Sequence, residues 1–221
     1  MKIIRSAVLA AAALTASLAL TAPAHACGMS VRLDPTPQRP TPVQEIARAE
    51  KALESGQNLA AVQAVLGTYP RIRSATVGQN PLETRAIRVF SLALVRSEGK
   101  ADEKAAKVAV NGEWTAKSNL EWAAQSLREI DQKRPNDPTV QADLGEALAK
   151  LPHTQDEALK LLQGLAQKDL MGSPHAYAAL AKIRSEKGDA SGAEAAIKRC
   201  EEMSKTPGVC RPANKPVAAK A

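Results

Sequence analysis

Aromatic residues are scarce in this chain, where Phe, Tyr and Trp make up 2% of 221 residues. Proteins that bind single-stranded nucleic acid stack its bases on aromatic rings, and so few rings, spread along the sequence, provide no such platform. Basic residues never occur more than two in succession, although the formal net charge is +7. The chain therefore lacks the clustered basic patch of a nucleic-acid-binding protein, and we predict no nucleic-acid partner.

Local motifs of common enzyme classes are also missing. The sequence has no glycine-rich phosphate loop after a strand, no Gly-x-Ser-x-Gly elbow and no His-Glu-x-x-His zinc motif. His153 and His175 fall in different parts of the chain, and neither belongs to a recognisable set of metal ligands. We predict that the protein is not an enzyme and holds neither a metal nor a cofactor.

No stretch alternates apolar and polar residues for long enough to require a β-sheet. Ala, Leu, Glu, Lys and Arg are abundant instead, and these residues favour helices. The predicted fold class is all-α.

Residues 1–26 are typical of an export signal. Lys2 and Arg5 precede an apolar run over residues 7–20, and small residues flank His25 at the expected cleavage site. The apolar run is shorter than the ~20 residues that a membrane-spanning helix needs. Removing Lys2 and Arg5 leaves 28 basic and 23 acidic residues, which lowers the net charge to +5. We expect a periplasmic or secreted protein.

A cleaved chain would begin at Cys27, followed by a Pro-rich linker over residues 27–41 that favours an extended tether. A cysteine in this position is a candidate for lipidation, and the tether suits a surface-anchored domain. Ala24 and His25 do not match the residues that the lipoprotein-processing peptidase prefers. Two alternatives stay open: a soluble exported chain, or an outer-membrane lipoprotein that touches the membrane through Cys27.

About four helix pairs are predicted over residues 42–205, with first helices beginning near Pro42, Pro81, Pro138 and Pro174. The last pair has the clearest pattern, because apolar or small residues recur at helical spacing on both sides of a break at Gly188. An insertion over residues 99–118 separates the second pair and contains a possible short helix within residues 100–110. We expect its Trp114 to cover the core, and residues 206–221 to form a flexible tail.

The units starting at Pro138 and Pro174 are 36 residues apart, within the range typical of helical repeats. Each unit has a Leu-small pair in its first helix, Leu144-Gly145 or Leu180-Ala181, and a small residue early in its second, Ala158 or Ala193. In these features they resemble the tetratricopeptide repeat. The resemblance implies antiparallel hairpins stacked as a short right-handed solenoid.

The same resemblance implies a concave groove formed by the first helix of each pair, in which an extended peptide or a partner's helix binds. The implied groove residues are Ala142, Glu146, Lys150, His175, Ala178, Lys182 and Glu186. The predicted function is therefore that of an exported scaffold that binds an unidentified protein or peptide in the cell envelope. The alternatives are a lipid-anchored envelope assembly factor and a charge-driven module for cell-wall polysaccharide or anionic lipid.

Cys200 and Cys210 are a candidate disulfide pair, because Pro207-Gly208 between them could turn the chain back into bonding range. The alternative is a buried Cys200 that replaces the usual small residue, with Cys210 unpaired in the tail. The sequence leaves both open.

Overall fold

Eight α-helices and two short 3-10 helices form the regular structure of the part of the chain that this computed structural model describes, residues 39–101, 114–206 and 208–211. No strand occurs in these ranges, so the all-α prediction is confirmed for them. The α-helices are α1 (Pro42–Glu54), α2 (Asn58–Thr68), α3 (Pro81–Arg96), α4 (Ala116–Lys133), α5 (Pro138–Leu148), α6 (Gln155–Gln167), α7 (Pro174–Glu186) and α8 (Ala190–Met203). The 3-10 helices are Ile72–Ser74 and Pro152–Thr154.

Several predictions concern residues outside this description. They are the signal over residues 1–26, lipidation of Cys27, most of the linker, the short helix within residues 100–110 and the tail after residue 211. Within the described ranges, no helix has both the length and the apolar character that crossing a bilayer requires.

The first helix of every pair begins with the same two-residue signal, a polar capping residue followed by proline. The capping side-chain oxygen accepts a hydrogen bond from a backbone N–H of the first turn, which has no partner within the helix. Proline fits the next position because it lacks an N–H and its φ is already helical. The capping residues are Thr41, Asn80, Asp137 and Ser173.

Consecutive helices fold back on each other as the pairs α1–α2, α3–α4, α5–α6 and α7–α8. Glycines with positive φ, Gly56 at +74° and Gly188 at +81°, form the turns of the first and last pairs. Each first helix packs on the first helix of the next pair, and each second helix also packs on that following first helix. The described residues thus form a helical repeat-like stack.

The insertion does not separate the second pair in space. Asn119 is buried and its side-chain Nδ2 donates to the carbonyl of Gly99 at 2.8 Å. Gly99 has a φ of +73°, and a Cβ at this position would lie 2.2 Å from the carbonyl oxygen of Ala116. Helix α4 begins at Ala116, within the predicted insertion, because Thr115 caps it by accepting from the N–H of Ser118 at 3.1 Å. Both ends of the insertion therefore meet beside α3.

Phe90 of α3 is fully buried at the centre of an aromatic cluster. Its ring makes edge-to-face contacts with Trp114 and Trp122, at centroid distances of 6.0 and 5.5 Å. The guanidinium of Arg73 lies 4.8 Å from the ring centroid of Trp114, and Trp122 Nε1 donates to the Arg73 carbonyl at 3.3 Å. Trp114 is partly buried against the core. Both tryptophans thus belong to one packed aromatic cluster.

Helices α5 and α6 approach each other closely at Gly145. A Cβ built on Gly145 would lie 2.5 Å from Cδ2 of Leu162, a fully buried side chain. By contrast, Gly164, also in a helix, has no atom within 4 Å of its Cβ position. Glycine is therefore required at residue 145 by packing and is only tolerated at residue 164.

These two glycines make a matched pair of substitutions. We expect Gly145→Ala to lower the free energy of unfolding by about 1 to 3 kcal/mol, because overpacking displaces Leu162. Gly164→Ala should raise it by about 0.5 to 1 kcal/mol, because alanine has the higher helix propensity. Urea denaturation followed by tryptophan fluorescence measures both, and equal effects of the two changes would contradict the close approach.

Candidate functional site on the concave face

The inward sides of α1, α3, α5 and α7 surround two adjacent cavities, of about 780 Å³ and about 790 Å³. We call this surface the concave face. The first cavity lies among the C-terminal half of α1, the middle of α3, the N-terminal half of α5 and the start of α7. The second lies among the C-terminal ends of α3 and α5 and the length of α7. Val209, near the C-terminus, borders both cavities.

The residues predicted for the groove come together on this face. Ala142 lines the first cavity, and the other six, Glu146, Lys150, His175, Ala178, Lys182 and Glu186, line the second. Ala142 and Glu146 are only 1% and 3% exposed, so they form the wall and offer almost no surface to a ligand. The side chain of Lys182 is 57% exposed at the rim.

Helical spacing explains this convergence. Ala142 and Glu146 are four residues apart on α5, which keeps their side chains on one face of the helix, and Lys150 follows four residues later, two residues past the helix end. On α7, intervals of three and four residues connect His175 to Ala178 and Ala178 to Lys182 in the same way. Because α5 packs on α7, the two faces border one cavity.

Arg96 of α3 holds Glu146 in place. Its Nε and Nη2 donate to the two carboxylate oxygens of Glu146 at 2.9 and 3.0 Å. The side chains are 11% and 4% exposed, so this bidentate pair is shielded from water. Burial alone would raise the pKa of Glu146, but the charge and hydrogen bonds of Arg96 outweigh burial and lower it.

Asp143, one turn before Glu146, has the opposite shift. Arg88 Nε donates to its Oδ2 at 2.5 Å, but the Arg88 side chain is 33% exposed and the contact is to one oxygen only. Burial therefore dominates and raises the pKa of Asp143 to about 6. Two carboxylates on one helix face thus have pKa values shifted in opposite directions.

The rim of the second cavity carries both signs of charge. Lys150 Nζ lies 2.5 Å from Oε1 of Glu98, and Lys182 Nζ lies 3.8 Å from Oε1 of Glu186. His175 lines the same cavity and is partly buried; burial, together with the positive charge of Arg96, lowers its pKa and favours the neutral imidazole. Small residues, Ala149, Ala178 and Ala181, lie among these charges.

Sequence reasoning missed Arg88, Arg96 and Glu98, whose charges are opposite to those of their partners Asp143, Glu146 and Lys150. A signal was present, because Arg88 and Arg96 interrupt a helix whose other residues between them are buried or partly buried. An arginine within such a helix needs a carboxylate or a path to water. The sequence did not reveal which carboxylate, since that depends on how α3 and α5 pack.

Cys200 and Cys210 are joined by a disulfide, with their Cα atoms 5.6 Å apart. Cys200 is fully buried in α8 and Cys210 is 9% exposed. The described part of the predicted tail is therefore not free, because Val209 packs against the core and Cys210 is bonded to α8.

Among the described residues, no group of three or more His, Cys, Asp or Glu side chains is arranged to hold a metal ion. No family model matches this chain, and neither a curated protein nor a solved structure matches it. The function must therefore be argued from the concave face itself.

Substitution of Glu146 tests whether the Arg96–Glu146 ion pair is shielded from water. Glu146→Gln should lower the free energy of unfolding by about 3 kcal/mol, because it leaves the Arg96 charge buried without its counter-ion. Glu157→Gln is the matched control: Glu157 also accepts two bonds from one arginine, Arg128, but its side chain is 50% exposed. The control should cost less than about 1 kcal/mol. Denaturant titration of the two variants checks the difference, and similar losses would contradict a shielded pair.

The raised pKa of Asp143 predicts a pH dependence. Between about pH 4 and pH 6 the folded protein keeps a proton on Asp143 that the unfolded chain has released, since the unperturbed value is 3.8. Raising the pH through this window therefore lowers the stability of the folded state, by an amount on the order of 2 to 3 kcal/mol. Asp143→Asn should match wild type at pH 4 and be the more stable protein at pH 7.5. A difference between the two that does not change with pH, measured by denaturation at both values, would contradict the shift.

Proposed function

We propose that this chain is an exported scaffold of stacked tetratricopeptide-like hairpins, and that it binds a segment of another protein on the concave face. The observation that carries the proposal is the convergence of Glu146, Lys150, His175, Ala178, Lys182 and Glu186 around one cavity. These residues come from the two units that most resemble the repeat family.

The packing pattern supports the repeat type. In a hairpin solenoid no single hairpin buries its apolar side, so each must pack on its neighbours. Here each first helix after α1 contacts both helices of the preceding pair. Gly145 allows α5 to approach α6 at the position where the family has its Leu-small pair.

The surface chemistry favours a peptide as the occupant. Small side chains at Ala149, Ala178 and Ala181 leave room for an extended backbone. Lys182 and Glu186 at the rim can pair with charged side chains of either sign on the bound segment. A face with both signs of charge suits a polypeptide better than a uniformly charged polymer.

Ion pairing argues against a charge-driven module on this face. The guanidiniums of Arg85, Arg88 and Arg96 all contact carboxylates, those of Glu50, Asp143 and Glu146. Each pair joins neighbouring first helices and neutralises a positive charge. Polysaccharide or anionic lipid would have to compete with these internal carboxylates.

Charge reversal at the rim tests the proposal. The full chain would be immobilised and exposed to a native envelope extract, and the retained proteins quantified by mass spectrometry. We expect Lys182→Glu to reduce specific retention roughly fivefold, equivalent to about 1 kcal/mol, because the rim lysine faces the bound segment. The matched control is Lys160→Glu, which makes the same charge change at an exposed position of α6 that lines neither cavity.

The control should retain its partners at the wild-type level. Unchanged retention by Lys182→Glu would contradict docking on the concave face. If both lysine variants lost the same amount of retention, and if high salt abolished the retention, the charge-driven module would be supported instead.

A further inference from the structure

The chain's own C-terminal segment crosses the concave face. After α8 ends at Met203, Ser204 and Thr206 form a turn in which the Thr206 N–H donates to Ser204 Oγ at 3.2 Å. Thr206 Cγ2 then lies 3.4 Å from the position of a Cβ on Gly56, in the turn of the first hairpin. Gly208, with a φ of +84°, helps the chain turn back, and Cys210 rejoins α8. We call residues 204–206 and 208–211 the C-terminal strap.

The strap lies between the two cavities. Ser204, Lys205, Thr206 and Val209 line the first cavity, and Gly208, Val209, Cys210 and Arg211 line the second. Val209 is partly buried and packs against the core. The strap therefore occupies the part of the concave face where a bound segment would run from one cavity to the other.

Noncovalent bonds hold the strap weakly. Beyond the bond from Ser204 N to Cys200 O that ends α8, the strap's described hydrogen bonds to the rest of the protein all come from Arg211. Arg211 contacts Glu201 at 2.7 Å and Glu194 at 3.3 Å, and all three side chains are about half exposed or more, so solvent screens these pairs. Apart from these bonds, Thr206 lies near Gly56 in the turn after α1, and Val209 packs against the core.

The disulfide is therefore the main tie that returns the strap to the fold. It joins residues 10 positions apart, so without it the segment after α8 is attached at one end only. Small apolar contacts must then offset the conformational entropy of ordering the whole segment.

We propose that the C-terminal strap is a built-in occupant of the concave face, and that reduction of Cys200–Cys210 releases it. A dithiol reductant supplies two electrons and two protons: the S–S bond breaks, both cysteines become thiols and the dithiol becomes a disulfide. The consequence for binding rests on the proposed function, because the released face is the one on which a partner segment would dock. The release itself is a property of this chain alone.

Limited proteolysis of the full chain tests the release. Trypsin cleaves after Lys205, which is exposed but needs a mobile strap around it to enter the protease. Cleavage between residues 205 and 206 should be roughly tenfold faster in the Cys210→Ser variant, and in wild type reduced with dithiothreitol, than in the oxidised protein. A Cys27→Ser background in every arm removes the third thiol, and cleavage after Lys160 on α6 monitors global unfolding.

Arg211→Ala is the matched control, because it removes both ion pairs and keeps the disulfide. It should change cleavage after Lys205 by less than about twofold. Equal cleavage of the oxidised and reduced proteins overturns the proposal. So does acceleration in Arg211→Ala that equals the acceleration in Cys210→Ser. The reduced wild-type arm keeps the test valid if Cys210→Ser folds poorly.

A second measurement separates this inference from the proposed function. The probe is a fluorescein-labelled peptide with the sequence of residues 203–211 and serine in place of Cys210, and its binding is followed by anisotropy. Tighter binding to the reduced than to the oxidised protein supports both strap release and docking on the concave face. Accelerated cleavage without peptide binding in either state supports release and contradicts the docking function.

Discussion

The buried pair of Arg96 and Glu146 is the contact on which the concave face depends. Removing two charges from water costs free energy that their attraction and hydrogen bonds only partly return, so such a pair is weak evidence of net stability. Its effect is geometric: the fork of Arg96 meets both oxygens of Glu146 in one arrangement of α3 and α5. A slipped or rotated α5 would leave both charges buried without partners. The pair therefore fixes the register between the second and third hairpins and, with it, the wall of the second cavity.

The same arrangement explains why two carboxylates one turn apart behave differently. Glu146 has both oxygens engaged by a guanidinium that water barely reaches, whereas Asp143 has one oxygen engaged by a partly exposed guanidinium. Their pKa values move in opposite directions for that reason. The pKa of a carboxylate on α5 thus depends on its arginine partner from α3 and on its burial, and not on whether the residue is Asp or Glu. A peptide that covered the first cavity would also cover Arg88 and Asp143, which line it.

Much of the helical framework could be predicted, because its signals are local. A capping residue followed by proline marks the start of α1, α3, α5 and α7, and Gly56, Gly99 and Gly188 mark the breaks after α1, α3 and α7. The predicted starts near Pro42, Pro81, Pro138 and Pro174 agree with the observed starts of these four helices. The groove residues were implied by the resemblance to the repeat family, and helical spacing accounts for their agreement, because positions four residues apart share a face of a helix.

The rest depended on contacts between elements that are distant in sequence. The 3-10 helix Ile72–Ser74 was not predicted, because it is part of the aromatic cluster formed with α3 and α4. The path of the strap was not predicted either: a Pro-Gly segment after the last helix looks like a tail, and only the packing of Thr206 near Gly56 shows that it returns to the first hairpin. Spacing made Cys200 and Cys210 a candidate pair but did not show that their bond would hold a segment across the concave face.

That bond connects the architecture with the compartment proposed for the protein. Structural disulfides persist in oxidising compartments and are reduced in the cytosol, and the signal predicted over residues 1–26 would deliver the chain to the former. In an oxidising compartment the strap stays tied and competes with any partner at high effective concentration, because competitor and site belong to one chain. In a reducing compartment it is held at one end only. The redox state of Cys200 and Cys210 therefore links the compartment of the protein to the accessibility of its concave face.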